Sequence, residues 1–200
     1  RVSYHFASRN LSLSKIRFFV ILRKQTKGDT MQYATYENTV EKLERHHITI
    51  RAIADIAYNS EKAYLPNLSI EQVEEAVISI LHKRVVQHQV WVALELDRLA
   101  EAHLLESPLQ DLVESDDSLF GMDETLATAI AMSYDTIGVT NYGYIDKLKI
   151  GLVGELDRKG KTTSAVTTFA DDIVGALAAA AASKVAHKYP TGILDSDKIN

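Results

Sequence analysis

Cysteine is absent from this chain of 200 residues. That removes disulfides, thiolate nucleophiles, cysteine-type zinc sites and iron–sulfur clusters together, and it fits a reducing cytoplasm. Long apolar runs are also missing. Phe18 to Leu22 is far too short to span a bilayer and is followed by no signal-peptide cleavage pattern. The 7 histidines include no His-x-x-x-His pair, so a helix-borne histidine metal site is not expected. There is no Gly-x-Ser-x-Gly elbow and no Gly-x-x-x-x-Gly-Lys-Ser/Thr loop, which argues against an α/β-hydrolase and a phosphate-binding loop.

Charge is plentiful and unevenly spread. Residues 1–30 hold 7 basic side chains and 1 acidic one; taking these from the whole-chain 22 and 27 leaves 15 against 26, a net −11 beyond Thr30. Such a body is expected to repel nucleic acid and anionic lipid and to attract divalent cations. The basic leader 1–30 is expected to lie outside the fold, with Met31 as a natural start or, equally, as the first methionine after a genuine basic arm. A single helical domain is expected over 31–190, followed by a frayed tail at 191–200.

Helical periodicity dominates the rest. Ile50, Ile53, Ala54 and Ala57 share one face. Ser69 with Gln72 forms a capping-box pattern, opening a helix that turns Ile70, Val73, Val77, Ile80 and Leu81 inward. Val85–Leu105 reads as a helix buried on more than one stripe. Ser107-Pro108 reads as an N-cap with proline at the first helical position. Gly121–Tyr134 opens another helix. Asp135–Lys149 is ambiguous because Gly138 and Gly143 weaken it, and Ile150–Thr167, with three glycines and a polar run, reads as a mobile loop. Phe169–His187 carries an unbroken alanine run from Ala178 to Ala182. Small side chains let helices approach closely. The expected fold is therefore all-α, a compact domain with this alanine-rich helix at the centre and about five others around it.

Four acidic motifs occupy the second half: Asp123-Glu124, Asp146, Asp157 and Asp171-Asp172. Oxygen-rich sites suit Mg²⁺, which takes one or two carboxylates, waters and phosphate oxygens. Lys147, Lys149 and Arg158 lie beside these acids in sequence and supply the positive charge a phosphate ester needs. Each motif also has an ordinary explanation, because both pairs fall in the first turn of a helix and complement its dipole. Asp171-Asp172, however, leads directly into the apolar Ile173-Val174-Gly175-Ala176. Adjacent helical side chains point about 100° apart, so one carboxylate should face other helices and need a partner or a metal.

The ordered set resembles the phosphatidylglycerophosphatase A family. That family carries Asp-Glu, then Phe-Arg-x-x-Asp-x-x-Lys-Pro, a further Asp, and Asp-Asp-x-x-Ala/Gly opening a helix. Here the counterparts are Asp123-Glu124, Tyr142-Gly143-Tyr144-Ile145-Asp146-Lys147-Leu148-Lys149, Glu155-Leu156-Asp157-Arg158 and Phe169-Ala170-Asp171-Asp172-Ile173-Val174-Gly175. Residues 36–105 look like a soluble Gram-positive branch that includes proteins named for a low-temperature requirement. The family arginine is Gly143 here, the proline is Ile150, and Thr167-Thr168-Phe169-Ala170 replaces a glycine-rich approach.

The resemblance implies a Mg²⁺-dependent phosphatase acting on a phosphomonoester, with phosphatidylglycerophosphate as the family's substrate. Asp123, Glu124, Asp146, Asp157, Asp171 and Asp172 would hold the metal. Asp146, Lys149, Asp171 and Asp172 would carry catalysis. The expected partner is a phosphate ester, a phospholipid headgroup among the candidates, with no nucleic acid and no transmembrane segment. A cytoplasmic location, peripheral attachment to a membrane and homo-oligomerisation are compatible with the pattern. The alternative is a metal- or ligand-binding regulatory protein that lost catalysis with the arginine.

Overall fold

Short polar side chains fix where the first helices begin. The computed structural model describes residues 32–188, so the expectations for the leader and the tail lie outside the described residues. Helix α1 (Tyr36–Arg45) starts at Thr35, whose hydroxyl accepts from the Asn38 amide while the Asn38 side chain accepts from the Thr35 amide. Thr49 caps α2 (Ile50–Glu61) through the Ala52 amide. Ser69 and Gln72 form the reciprocal box that opens α3 (Ile70–Leu81), as their spacing predicts.

Helix α4 (Arg84–Glu101) departs from expectation. Val86, Val90, Ala93, Leu94, Asp97 and Ala100 are buried, whereas Val85 and Val92 are 57% and 52% exposed, so it buries one stripe and not several. The short α5 (Leu109–Glu114) begins one residue later than Ser107-Pro108 suggests. Pro108 itself takes the cap position and makes no side-chain capping bond. Helix α6 (Met122–Ala131) passes through a 3₁₀ turn at Met132–Tyr134 into α7 (Asp135–Leu148), which is one continuous helix despite its glycines. Gly138 lies directly under the Ala131 carbonyl, where a Cβ would come within 2.1 Å of the oxygen.

The expected mobile loop at Ile150–Thr167 is largely wrong. Leu152–Thr162 forms helix α8, and only the stretch after it runs irregularly. Its glycines serve a tight corner. Gly151 adopts φ 59°, a conformation costly for other residues. At Gly154 a Cβ would stand 2.3 Å from the Lys149 carbonyl oxygen. The polar run closes on the helix itself, with Lys161 paired to Asp157 and the Thr162 and Thr163 hydroxyls donating to the Arg158 and Lys159 carbonyls.

Helix α9 (Ala170–Lys188) is buried at every position from Ala170 to Ser183. A helix that is apolar all round belongs in the middle of a bundle. It packs against α2, α3, α4, α6, α7 and α8, and no strand occurs among the described residues. The fold is all-α with the alanine-rich helix at its centre, as the sequence implies.

Candidate functional site

The first turn of α9 opens where α4, α6, α7 and α8 present polar groups. Thr167 and Thr168 anchor the approach, donating to the Leu156 and Val113 carbonyls at 2.9 and 2.6 Å. The amides of Phe169 and Ala170 then donate to the carboxylate of Asp97 on α4, at 3.0 and 2.8 Å. Asp97 is fully buried and caps a helix more than 70 residues away in sequence. Burial drives its ionisation well above the usual carboxylate range, the two amide bonds oppose that, and the charges of Asp171 and Asp123 add to it.

This turn directs its two acids to different neighbours. Asp172, 4% exposed, meets Asp123 and Glu124 from the first turn of α6. One oxygen from each of Asp123, Glu124 and Asp172 lies within 4.8 Å of the others, close enough for one ion to be held among them. Asp123 Oδ1 is buried without a hydrogen-bond partner. An unpartnered carboxylate oxygen beside two further acids is what a cation-binding cradle presents before its ion. The clustering is costly to ionise. Asp172 rises to about 8, through burial and then the charge of Asp171. Asp123 rises to about 7, through burial and then the carboxyl of Glu124.

Asp171 turns instead to Lys149. The left-handed conformation of Lys149 at the end of α7, φ 47°, ends that helix close to the first turn of α9. Its Nζ donates to Asp146 Oδ1 at 2.7 Å and Asp171 Oδ2 at 3.0 Å, and lies 3.9 Å from Asp157 Oδ1. Burial alone would lower the lysine, but Asp171 and Asp146 hold it above the usual ammonium range. Asp171 rises to about 6 by burial, with Lys149 pulling the other way.

The six acids singled out from the sequence therefore fall into two adjoining groups. Asp123, Glu124 and Asp172 form the acidic trio. Asp146, Asp157 and Asp171 surround Lys149. Asp157 is also tied to Lys161 at 2.6 Å. Lys147 and Arg158 make no ion pair with any of these acids. The position of the absent family arginine, Gly143, opens on free space, with nothing within 4 Å of an added Cβ. A hollow of about 340 Å³ adjoins Asp157 and Asp171 and is lined also by Asp116, Lys161, Thr167 and Thr168.

Two residues escaped the sequence reading. Asp97 was detectable as an acid on the buried stripe Val90, Ala93, Leu94, Ala100, where a lone carboxylate needs a built-in partner. Tyr142 stood in view inside the Asp146 motif, but nothing in the spacing shows that its hydroxyl is buried beside Asp172. Burial, then the charge of Asp172, keeps this phenol far from ionising.

Residues 62–187 match the family model described as Phosphatidylglycerophosphatase A. The chain belongs to the phosphatidylglycerophosphatase A family. It is 45% identical over 151 residues to the protein YpjQ of Bacillus subtilis (strain 168), spanning 76% of this chain and 84% of that protein. The structure of the low temperature requirement C protein from Listeria monocytogenes superposes with a TM-score of 0.75 at 41% identity, covering 80% of this chain and 99% of that one. A protein of unknown function from Bacillus stearothermophilus gives a TM-score of 0.75 at 40% identity, covering 79% and 97%. These relatives fall in the Gram-positive branch that the sequence resembles. Membership of the phosphatidylglycerophosphatase A family suggests a phosphatase-like function. No helix among the described residues is long and apolar enough to cross a membrane.

Proposed function

We propose that the chain is a Mg²⁺-dependent phosphomonoesterase of the phosphatidylglycerophosphatase A type. The observation that carries this reading is the meeting of Asp123, Glu124 and Asp172 oxygens within 4.8 Å, next to a lysine held between Asp146 and Asp171. The trio fits the ion on chemical grounds: three hard oxygen donors, one of them buried and unpartnered. Bound there, Mg²⁺ would polarise a phosphoryl group and lower the pKa of a water.

The protein's own groups do the rest. Lys149 has three N–H donors. Two are engaged by Asp146 and Asp171, and the third faces Asp157 beyond hydrogen-bond reach at 3.9 Å, so it remains for a non-bridging phosphoryl oxygen. Its two carboxylate partners keep the ammonium in place and charged. Asp97 and the two threonines fix the turn that carries Asp171 and Asp172. The hollow beside Asp157 and Asp171 is lined largely by polar side chains and suits a hydrophilic alcohol portion of the ester. Family membership makes phosphatidylglycerophosphate the first substrate to try, with phosphatidylglycerol as the product.

One observation favours a second reading, a metal-binding module without turnover. Gly143 supplies no cation where the family pattern has arginine, and Lys149 already serves two carboxylates. The test separates the two. Purified protein is incubated with Mg²⁺ and a panel of phosphate esters, the lipid included, and phosphate release is measured beside the Mg²⁺-induced melting shift. Asp172→Asn and Asp123→Asn should each lower Mg²⁺-dependent release by at least about 100-fold. A melting shift in the parent protein with no release from any ester favours the module. Undiminished release in both variants would rule out the trio.

A further inference from the structure

Tyr142 sits on α7 with its ring against α9. It is 5% exposed, and its edge lies so close to Gly175 that an added Cβ there would touch Cε2 at 3.4 Å. The hydroxyl is sealed from solvent and completes no hydrogen bond. Gly175 lies one turn beyond Asp172 on the same face of α9, so the ring packed on Gly175 stands beside the Asp172 carboxylate, near enough for each group to act on the other's ionisation. A buried hydroxyl with no partner gives up its hydration for nothing in return, whereas phenylalanine would fill the same space without that cost. The oxygen is thus a liability to the metal-free fold, placed against one member of the acidic trio.

We propose that Tyr142 is a positioning residue for Asp172: its hydroxyl donates to one Asp172 oxygen when a divalent cation is bound and leaves the other turned toward Asp123 and Glu124. This rests on the reading of the trio as a cation site. A phenol with an ordinary pKa near 10 is a hydrogen-bond donor at neutral pH. A carboxylate that gives one oxygen to a cation keeps acceptor capacity on the other, and the Tyr142 hydroxyl is a buried donor without a partner on that face of α9. The ring is fixed by its neighbours on α9, so the hydroxyl need not be ordered when the ion arrives. Asp123 Oδ1, also buried without a partner, would find one in the ion itself.

The test is Tyr142→Phe, compared with the parent protein and Asp172→Asn. Titration calorimetry with MgCl₂ gives the affinity, and scanning calorimetry in EDTA gives the metal-free melting temperature. Tyr142→Phe should melt at or above the parent temperature in EDTA, because it keeps the ring and drops the unpaired hydroxyl. Its Mg²⁺ affinity should fall by about 10-fold or more, with ester hydrolysis reduced at limiting Mg²⁺ and restored at saturation. If Tyr142→Phe binds Mg²⁺ as tightly as the parent while Asp172→Asn does not bind, the role of Tyr142 is overturned and the cation site stands. A lower metal-free melting temperature with unchanged affinity marks a packing role and also overturns it. If the parent protein binds no Mg²⁺, both readings fall.

Discussion

Asp97 shows how one side chain can set a geometry that no nearby sequence announces. It accepts from the Phe169 and Ala170 amides, two donors that the start of α9 would otherwise leave bare in a dry interior. A carboxylate also suits the positive end of the helix dipole. Alanine at position 97 would remove the cap and strand both amides. Asp97→Ala should therefore lose about 2 kcal/mol of unfolding free energy in a urea titration. Asp97→Asn, which keeps one acceptor oxygen, should lose less. Equal losses in the two variants would show that the contact acts through packing and not through the cap.

At the scale of elements, the decisive feature is the corner between α7 and α8. Helix α7 is capped by Lys149 in the left-handed region, and two residues beyond, Gly151 at φ 59° caps the start of α8. Gly154 then lets the first turn of α8 press against the Lys149 carbonyl, with 2.3 Å between that oxygen and an added Cβ. Backbone cannot yield as a flexible side chain can. Gly154→Ala should cost about 2 kcal/mol, read as a lower urea midpoint at unchanged slope, because the corner must open. It should also weaken ester hydrolysis, since the same corner holds Lys149 against Asp146 and Asp171. A variant as stable as the parent would show that the corner has slack.

For the whole molecule, the acidic balance and the buried aspartates of the site pull the same way. Asp172, Asp123 and Asp171 ionise near 8, 7 and 6 in the fold against an ordinary 3.8. A raised carboxyl is easier to ionise in the unfolded chain. Below about pH 4 these groups are neutral in both states and contribute nothing; from there to about pH 8 the unfolded chain is favoured progressively. The metal-free protein should lose stability across that window through these groups. Asp172→Asn in EDTA should melt above the parent protein at pH 8 and with it near pH 4. Identical melting at pH 8 would mean that Asp172 carries no such penalty. A cation that binds the ionised trio should offset the cost, so the Mg²⁺-induced melting shift should be larger at pH 8 than at pH 6.

Much was legible in one dimension because it depends on neighbours in sequence. The Ser69–Gln72 cap, the inward face of α3 and the central place of the alanine-rich helix follow from periodicities and small side chains that act over one or two turns. The ordered acidic motifs likewise identified the family. Glycine content misled at Leu152–Thr162, because a glycine needed for close packing looks the same in sequence as one that loosens a loop. The division of six acids into a trio and a lysine-centred group came only with the tertiary structure. So did the capping by Asp97 and the burial of the Tyr142 hydroxyl. These are contacts across tens of residues, and their energies come from removing water around charges that only the packed helices bring together.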